Sequence, residues 1–196
     1  AHAHQVVGGR GVRLVNLAFE APVHHGHVGH GSARARGHDQ HRVGVGGVDL
    51  ERLRGHAGVV AGKALFSSCR WVIETFMPRY GIEFTLVDST DVEAWRAAIR
   101  PNTKTFFLES PSNPTLDVSD IAAVASLAKG CGARLIVDNI FASPILQRPF
   151  ERGADVVVYS TTKHMDGSGR TLGGAILGST TFMEEHIAFH AAALHA

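Results

Sequence analysis

From Gly62 onward, short apolar runs alternate with stretches whose apolar positions recur at the helical period. The runs Phe84–Asp88, Thr105–Glu109, Arg134–Asp138, Asp155–Tyr159 and Gly174–Leu177 are rich in Val, Ile, Leu or Phe. Unbroken apolar character over so short a length suits strands buried on both faces of a parallel sheet. Helices are predicted between them. Ser68–Met77 has Ser67 or Ser68 as a cap and Pro78 as a stop, and Asp91–Ile99 ends before Pro101. Ser119–Lys129 opens on Ser119-Asp120 and closes at Gly130. Strands alternating with helices of this length compose βαβ units. The expected fold class is therefore α/β, a mostly parallel sheet flanked by helices.

Before Gly62 the pattern fails. Residues 1–60 hold nine of the thirteen His and twelve of the twenty-two Gly, but no Lys, Ile, Thr, Met, Tyr, Trp or Cys. The stretch from Ala21 to Gly47 shows no sustained period and is poor in the β-branched and aromatic residues that build a core. Short apolar pieces, Val12–Phe19 and Val48–Leu53, can form local structure. The whole chain of 196 residues is 44% hydrophobic, which suits a soluble globular protein. No apolar run reaches bilayer length and no charged-then-apolar leader opens the chain, so a cytoplasmic location without membrane contact is expected. A formal net charge of +1 gives no reason to expect nucleic acid as a partner. Cys69 and Cys131 stand far apart, which argues against a disulfide framework or a thiolate zinc site.

Polar residues gather where three of the predicted strands end. Phe106-Phe107-Leu108 runs into Glu109-Ser110-Pro111-Ser112-Asn113-Pro114, and Leu135-Ile136-Val137 into Asp138-Asn139. Val156-Val157-Val158 runs into Tyr159-Ser160-Thr161-Thr162-Lys163-His164. Ligands of parallel α/β sheets bind beyond the carboxyl ends of strands, so these ends form one pocket rim. An amine and a carboxylate there match the needs of a pyridoxal-phosphate (PLP) enzyme. The amine forms a Schiff base with the cofactor, and the acid keeps the pyridine nitrogen protonated and the ring an electron sink. Hydroxyls just before the Lys can donate to the cofactor phosphate. On spacing alone, side chains that merely cap and turn the chain account for the pattern better.

Longer passages change that balance. Phe106-Phe-Leu-Glu-Ser-Pro-Ser-Asn-Pro-Thr, Val137-Asp-Asn-Ile-Phe-Ala-Ser-Pro and Gly153-Ala-Asp-Val-Val-Val-Tyr-Ser-Thr-Thr-Lys-His-Met-Asp-Gly closely resemble the Cys/Met-metabolism (transsulfuration) family of PLP enzymes. The resemblance runs from about Lys63 to about His186. It implies part of the large domain of a fold-type I PLP-dependent transferase, with pyridoxal 5'-phosphate as cofactor and no metal. Lys163 would carry the Schiff base and move protons between substrate carbons. Asp138 would pair with the pyridine nitrogen, and Ser160 and Thr162 would bind the phosphate. Asn113 would contact the phenolic oxygen and the substrate carboxylate. Phe66 matches the aromatic residue that stacks on the pyridine ring, with a core Phe as the plainer alternative.

After Lys163, Asp166-Gly-Ser-Gly-Arg170 is nearer to the Asp-Gly-Gln-Gly-Arg turn of O-succinylhomoserine sulfhydrylases than to the Gly-His-Ser-Asp of many lyases, although Ser168 departs from Gln. Leu65–Arg79 and the run from Trp95 to Thr103 favour the same branch. The implied reaction is γ-replacement of an acylated homoserine by sulfide to give homocysteine, in a homo-oligomer with shared sites. The alternatives are a β- or γ-lyase acting on cystathionine or methionine, or a catalytically incomplete, non-enzymatic piece.

The resemblance also marks what is not found. Residues 1–60 hold neither the family's arm, whose Tyr and Arg reach a neighbouring site, nor its Ser-Gly-Met turn for the phosphate. Their composition suits the hypothesis of a GC-rich gene read in the wrong frame or from the wrong strand. The substrate-clamping Arg of the C-terminal domain is missing too. Residues 1–61 are thus expected to be poorly ordered or out of family, residues 62–187 a partial PLP-binding domain, and residues 188–196 an atypical tail. Weaker signals are set aside. Ala57–Ala64 lacks the first Gly and the final Ser/Thr of a P-loop, and Val6–Leu14 lacks the third Gly of a dinucleotide loop. The cluster His24, His25, His27 and His30 has no carboxylate or thiolate nearby to complete a metal site, and the basic Arg34–Arg42 stretch is read as solvated.

Overall fold

A computed structural model describes residues 3–7, 12–19, 57–170 and 172–188. Its strands are β1 (Ala3–Val7), β2 (Val12–Phe19), β3 (Gly58–Gly62), β4 (Glu83–Val87), β5 (Thr103–Glu109), β6 (Arg134–Asp138), β7 (Val156–Ser160) and β8 (Leu172–Ser179). Its main helices are α1 (Ser67–Trp71), α2 (Val92–Ala97), α3 (Ile121–Gly130) and α4 (Ser143–Leu146). The strands form one sheet in the order β1-β2-β8-β7-β6-β5-β3-β4. From β4 across to β7 every pairing is parallel, as the apolar runs predict. β8 lies antiparallel to β7, β2 antiparallel to β8, and β1 antiparallel to β2.

The predicted strands appear as β4 to β8, with ends shifted by a residue or two. β3 is an addition. Its sequence, Gly58-Val-Val-Ala-Gly62, is short and bounded by glycine, so periodicity does not mark it. Those glycines serve close packing. A Cβ at Gly62 would lie 3.0 Å from Ser89 Cβ, and one at Gly58 would lie 3.2 Å from Asn102 Oδ1. Val12–Phe19, one of the short apolar pieces, is β2, with Val12 opposite Ser179 of β8. The segments Val48–Leu53, Arg34–Arg42 and the His24–His30 cluster lie outside the described residues, as do residues 189–196.

The helices start where capping chemistry places them. Asp91 accepts the amides of Glu93 and Ala94 at the head of α2, and Asp120 accepts that of Ala123 at the head of α3. Gly130 is the last residue of α3, and the left-handed turn falls at Gly132, φ 71°. The predicted Ser68–Met77 helix is broken into α1, a wider π turn over Val72–Phe76 and a 3₁₀ turn over Met77–Tyr80. Pro78 lies inside that last turn, which ends on left-handed Gly81.

One face of the sheet is covered by α2 and α3. Trp95, Ile121, Val124 and Ala128 pack on Val60, Phe106, Leu108, Leu135, Val137 and Val157. Trp95 stacks on Phe106 at 5.8 Å and donates its indole N–H to the Ser89 carbonyl at 3.2 Å. The other face is covered at its two ends. Leu65 and Ile73 pack on Val59 and Ala61, and Met183 packs with Ile176, Phe182 and Ile187. Between these patches Ile136, Asp138, Val158 and Ser160 are only half-buried. That open floor lies where β6 and β7 end.

Candidate functional site

The chain leaves β3 toward β4 on one side, whereas β5 continues to β6 on the other. Strand order therefore reverses between β3 and β5, the place where α/β sheets open a crevice. Two residues meet there. The backbone N–H of Phe66, just past β3, donates to Glu109 Oε2 at the end of β5, at 2.6 Å. The backbone N–H of Asn113 lies near the same carboxylate and favours its charged form. Glu109 is 2% exposed and stands opposite Asp138 in the parallel register. Residues paired in this way project from the same face, so two acids share one strand-end corner.

Burial, and then the Asp138 charge, push the Glu109 carboxyl up to about 7 against the pull of these two amides. Asp138 is also raised, by burial, while the Ile140 N–H bonded to Oδ1 at 3.0 Å opposes that rise. The Cys69 thiol of α1 is pushed up to about 11 by burial and by the Asp138 and Glu109 charges. It stays protonated and un-nucleophilic near neutrality.

Lys163 lies beyond the end of β7, in the single loose turn Thr161–Met165. Its own backbone, φ −87° and ψ −106°, breaks helical geometry within that turn. The side chain is exposed, and its Nζ makes no hydrogen bond or ion pair among the described residues. The following turn is well held. Asp166 Oδ2 accepts the amides of Ser168 at 3.2 Å and Arg170 at 2.7 Å, and Gly167 and Gly169 take the left-handed φ of 70° and 65° that this path requires. Thr162 Oγ1 accepts the Gly173 amide at 3.0 Å and donates to the Gly173 carbonyl at 3.4 Å, tying the turn to β8. The Ser160 hydroxyl has no partner among the described residues, and Ser160 projects from the same face as Val158 and Asp138.

The structure thus gathers Phe66, Asn113 and Asp138 near Glu109, with Ser160 on β7, one strand beyond Asp138, and Thr162 and Lys163 just after it. Phe66 is 42% exposed, so it is not a core residue. Two structural features were not read from the sequence. Glu109 stands out there only as a carboxylate at a strand end. Asn139 is fully buried and donates to Tyr159 Oη at 2.8 Å and the Gln147 carbonyl at 2.9 Å. It also accepts from Gln147 Nε2 at 2.8 Å, which donates in turn to the Ser110 carbonyl at 2.7 Å. This network ties together the segments that follow β5, β6 and the end of β7.

The donor set fits PLP. Lys163 supplies an unengaged amine, Asp138 a half-buried carboxylate with Oδ2 unpartnered among the described residues, and Ser160 an unengaged hydroxyl on the same open face. A separate cleft of about 360 Å³ opens at the other end of the sheet beside Arg134, Asp155, Phe182 and Glu185. There Asp155 accepts the Leu135 amide at 2.8 Å and Arg134 stacks on Phe182 at 5.1 Å, so these charges are taken up by structure.

The family described as Cys/Met metabolism PLP-dependent enzyme matches residues 50–195. The chain is 48% identical over 126 residues to O-succinylhomoserine sulfhydrylase of Mycobacterium tuberculosis, covering 64% of this chain and 31% of the relative. It is 43% identical over 128 residues to L-methionine gamma-lyase of Porphyromonas gingivalis, covering 65% and 32% respectively. The crystal structure of cystathionine gamma-lyase from Lactobacillus plantarum complexed with L-serine is similar at TM-score 0.68 and 33% identity, covering 74% of this chain and 38% of that one. The chain spans about a third of the length of these curated relatives.

Proposed function

Because the chain belongs to the Cys/Met metabolism PLP-dependent enzyme family, we propose that it carries the cofactor-binding part of an O-succinylhomoserine sulfhydrylase. The overall change is replacement of the γ-acyloxy group of an acylated homoserine by sulfide, giving homocysteine and, from the succinyl ester, succinate. The observation that carries this choice is the Asp166-Gly-Ser-Gly-Arg170 turn directly after Lys163, held in shape by the Asp166 carboxylate. The 48% identity to a sulfhydrylase points the same way.

Bound PLP supplies the electron sink that lets protons leave substrate carbons. Lys163 Nζ would hold the cofactor and, as a free amine, would be the base that takes the proton from the substrate Cα. Loss of a Cβ proton lets the acyl group depart from Cγ with its bonding electrons. Hydrosulfide forms the new C–S bond at Cγ, and protons return to Cβ and Cα. Asp138 accepts the pyridine N–H through the oxygen not held by Ile140, and a cation opposite it offsets the burial that raises it. Ser160 donates to the phosphate. Thr162 keeps the Gly173 amide and turns its hydroxyl proton from the long 3.4 Å contact toward a phosphate oxygen. Asn113 meets the phenolic oxygen and the substrate carboxylate, and the exposed Phe66 ring covers the pyridine. A cytoplasmic homo-oligomer is the assembly this reading calls for.

A γ-lyase is the second reading, favoured by the 43% identity to L-methionine gamma-lyase. Product analysis separates the two. O-succinylhomoserine plus sulfide yields homocysteine from the first, whereas a thioether substrate alone yields a 2-oxo acid and ammonia from the second. The wild-type chain titrated with PLP is expected to gain visible absorption, and borohydride is expected to fix the cofactor on Lys163. In Lys163→Ala neither occurs, and turnover falls by on the order of 10²–10⁴ or more. A wild-type chain that gains no visible band at saturating PLP overturns the reading.

A further inference from the structure

A buried carboxyl group without a cationic partner costs stability, and such groups persist where they fix a position. Glu109 is of this kind: it is 2% exposed and forms no ion pair among the described residues. It accepts the Phe66 amide at 2.6 Å, has the Asn113 amide close by, and faces Asp138 across the β5–β6 register. The segment it holds has few other anchors. α1 contains no buried residue, and Phe66 at its head has no side-chain cap bond. Before it, Leu65 is buried; after it, Arg70 Nη1 reaches back to the Lys63 carbonyl at 3.2 Å from an exposed position.

We propose that Glu109 is a positioning residue, which pins the backbones of Phe66 and Asn113 to the Asp138 end of β6 so that three cofactor-facing segments move as one unit. This inference rests on the PLP reading above. Without Glu109, Phe66 and Asn113 keep their side chains but lose their common reference to Asp138. Cofactor affinity then falls although no group that touches the cofactor has changed.

The Phe66 backbone permits a selective test. Its φ of −53° suits a proline ring, so Phe66→Pro removes the ring and the amide donor, while Phe66→Ala removes the ring alone. Phe66→Pro is expected to melt below Phe66→Ala, because it leaves the buried Glu109 carboxylate without its 2.6 Å donor, but to stay folded at room temperature and bind PLP about tenfold more weakly, the scale of one hydrogen bond to a charged group. That difference is expected to vanish in Glu109→Ala, or in Glu109→Gln should the Ala variant fail to fold. In the protein without PLP, the Phe66 amide is expected to exchange with solvent at least about tenfold faster in Glu109→Ala than in wild type, with Glu109→Gln between them. Equal PLP affinity of Phe66→Pro and Phe66→Ala, or a Phe66 amide equally protected with and without Glu109, overturns the proposal. A wild-type chain that binds no PLP sinks the functional reading alone, because the exchange measurement still decides the role of Glu109.

Discussion

Glu109 ends a strand of apolar residues, and its carboxyl is held at about 7, well above an ordinary glutamic acid. The folded chain therefore binds this proton more tightly than the unfolded chain does. The sign follows from linkage: the stability tied to the protonated acid is fully present below its unfolded value of 4.5 and is lost as pH rises through 7. At about 1.4 kcal/mol per unit the loss is at most about 3.5 kcal/mol. Asp138, raised by burial, acts in the same direction. Cys69, pushed up to about 11, and Tyr159, raised by burial, stay protonated throughout this window. Urea unfolding of the protein without PLP is expected to show stability falling between pH 4.5 and pH 7.5, and Glu109→Gln is expected to flatten most of that slope. A wild-type profile as flat as that of the Gln variant rejects the burial argument.

At the level of elements, the strand-end turns are braced by Asn139 rather than by their own sequence. Replacing Asn139 with Leu removes the partner of the buried Tyr159 hydroxyl, of the Gln147 carbonyl and of one Gln147 Nε2–H, whose other N–H still reaches the Ser110 carbonyl. Such orphaned groups cost roughly 1–3 kcal/mol each before relaxation, so a loss of about 3 kcal/mol in unfolding free energy is expected. Gln147→Ala, which spares the Tyr159 contact, should cost less, and an order reversed in denaturant titration would contradict this account. The same elements show what the sequence could and could not convey. Runs such as Leu135-Ile136-Val137 announce strands by their unbroken apolar character, although Ile136 on the open face is only half-buried, and Asp91 and Asp120 announce helix starts because their caps are local. β3 escaped because Gly58 and Gly62 mark close packing against Asn102 and Ser89, which spacing does not encode. The polar residues at the strand ends were legible as a rim. The pairing of Glu109 with Asp138, and of Asn139 with Tyr159, depends on strand register and could not be read from linear order.

On the scale of the whole molecule, the described surface carries large apolar side chains with nothing packed on them. Ile145 and Leu146 of α4 are 84% and 82% exposed, beyond the half-exposed Phe141, and Leu116 and Val118 are also exposed. A helix turn that displays such side chains is suited to meet another protein surface, since fully burying each one is worth roughly 1.5–3 kcal/mol. Under the proposed function the occupant would be a second copy of the chain, since most soluble oligomers are symmetric homo-oligomers. Ile145→Lys combined with Leu146→Lys is therefore expected to shift the chain toward monomer in sedimentation velocity. The melting temperature of the dissociated form should stay within about 2 °C of the dissociated wild type, because side chains this exposed contribute little to the isolated fold. Unchanged sedimentation of the double variant would assign association, where present, to another face. A collapse of its melting temperature would instead mean that Ile145 and Leu146 pack within a single chain.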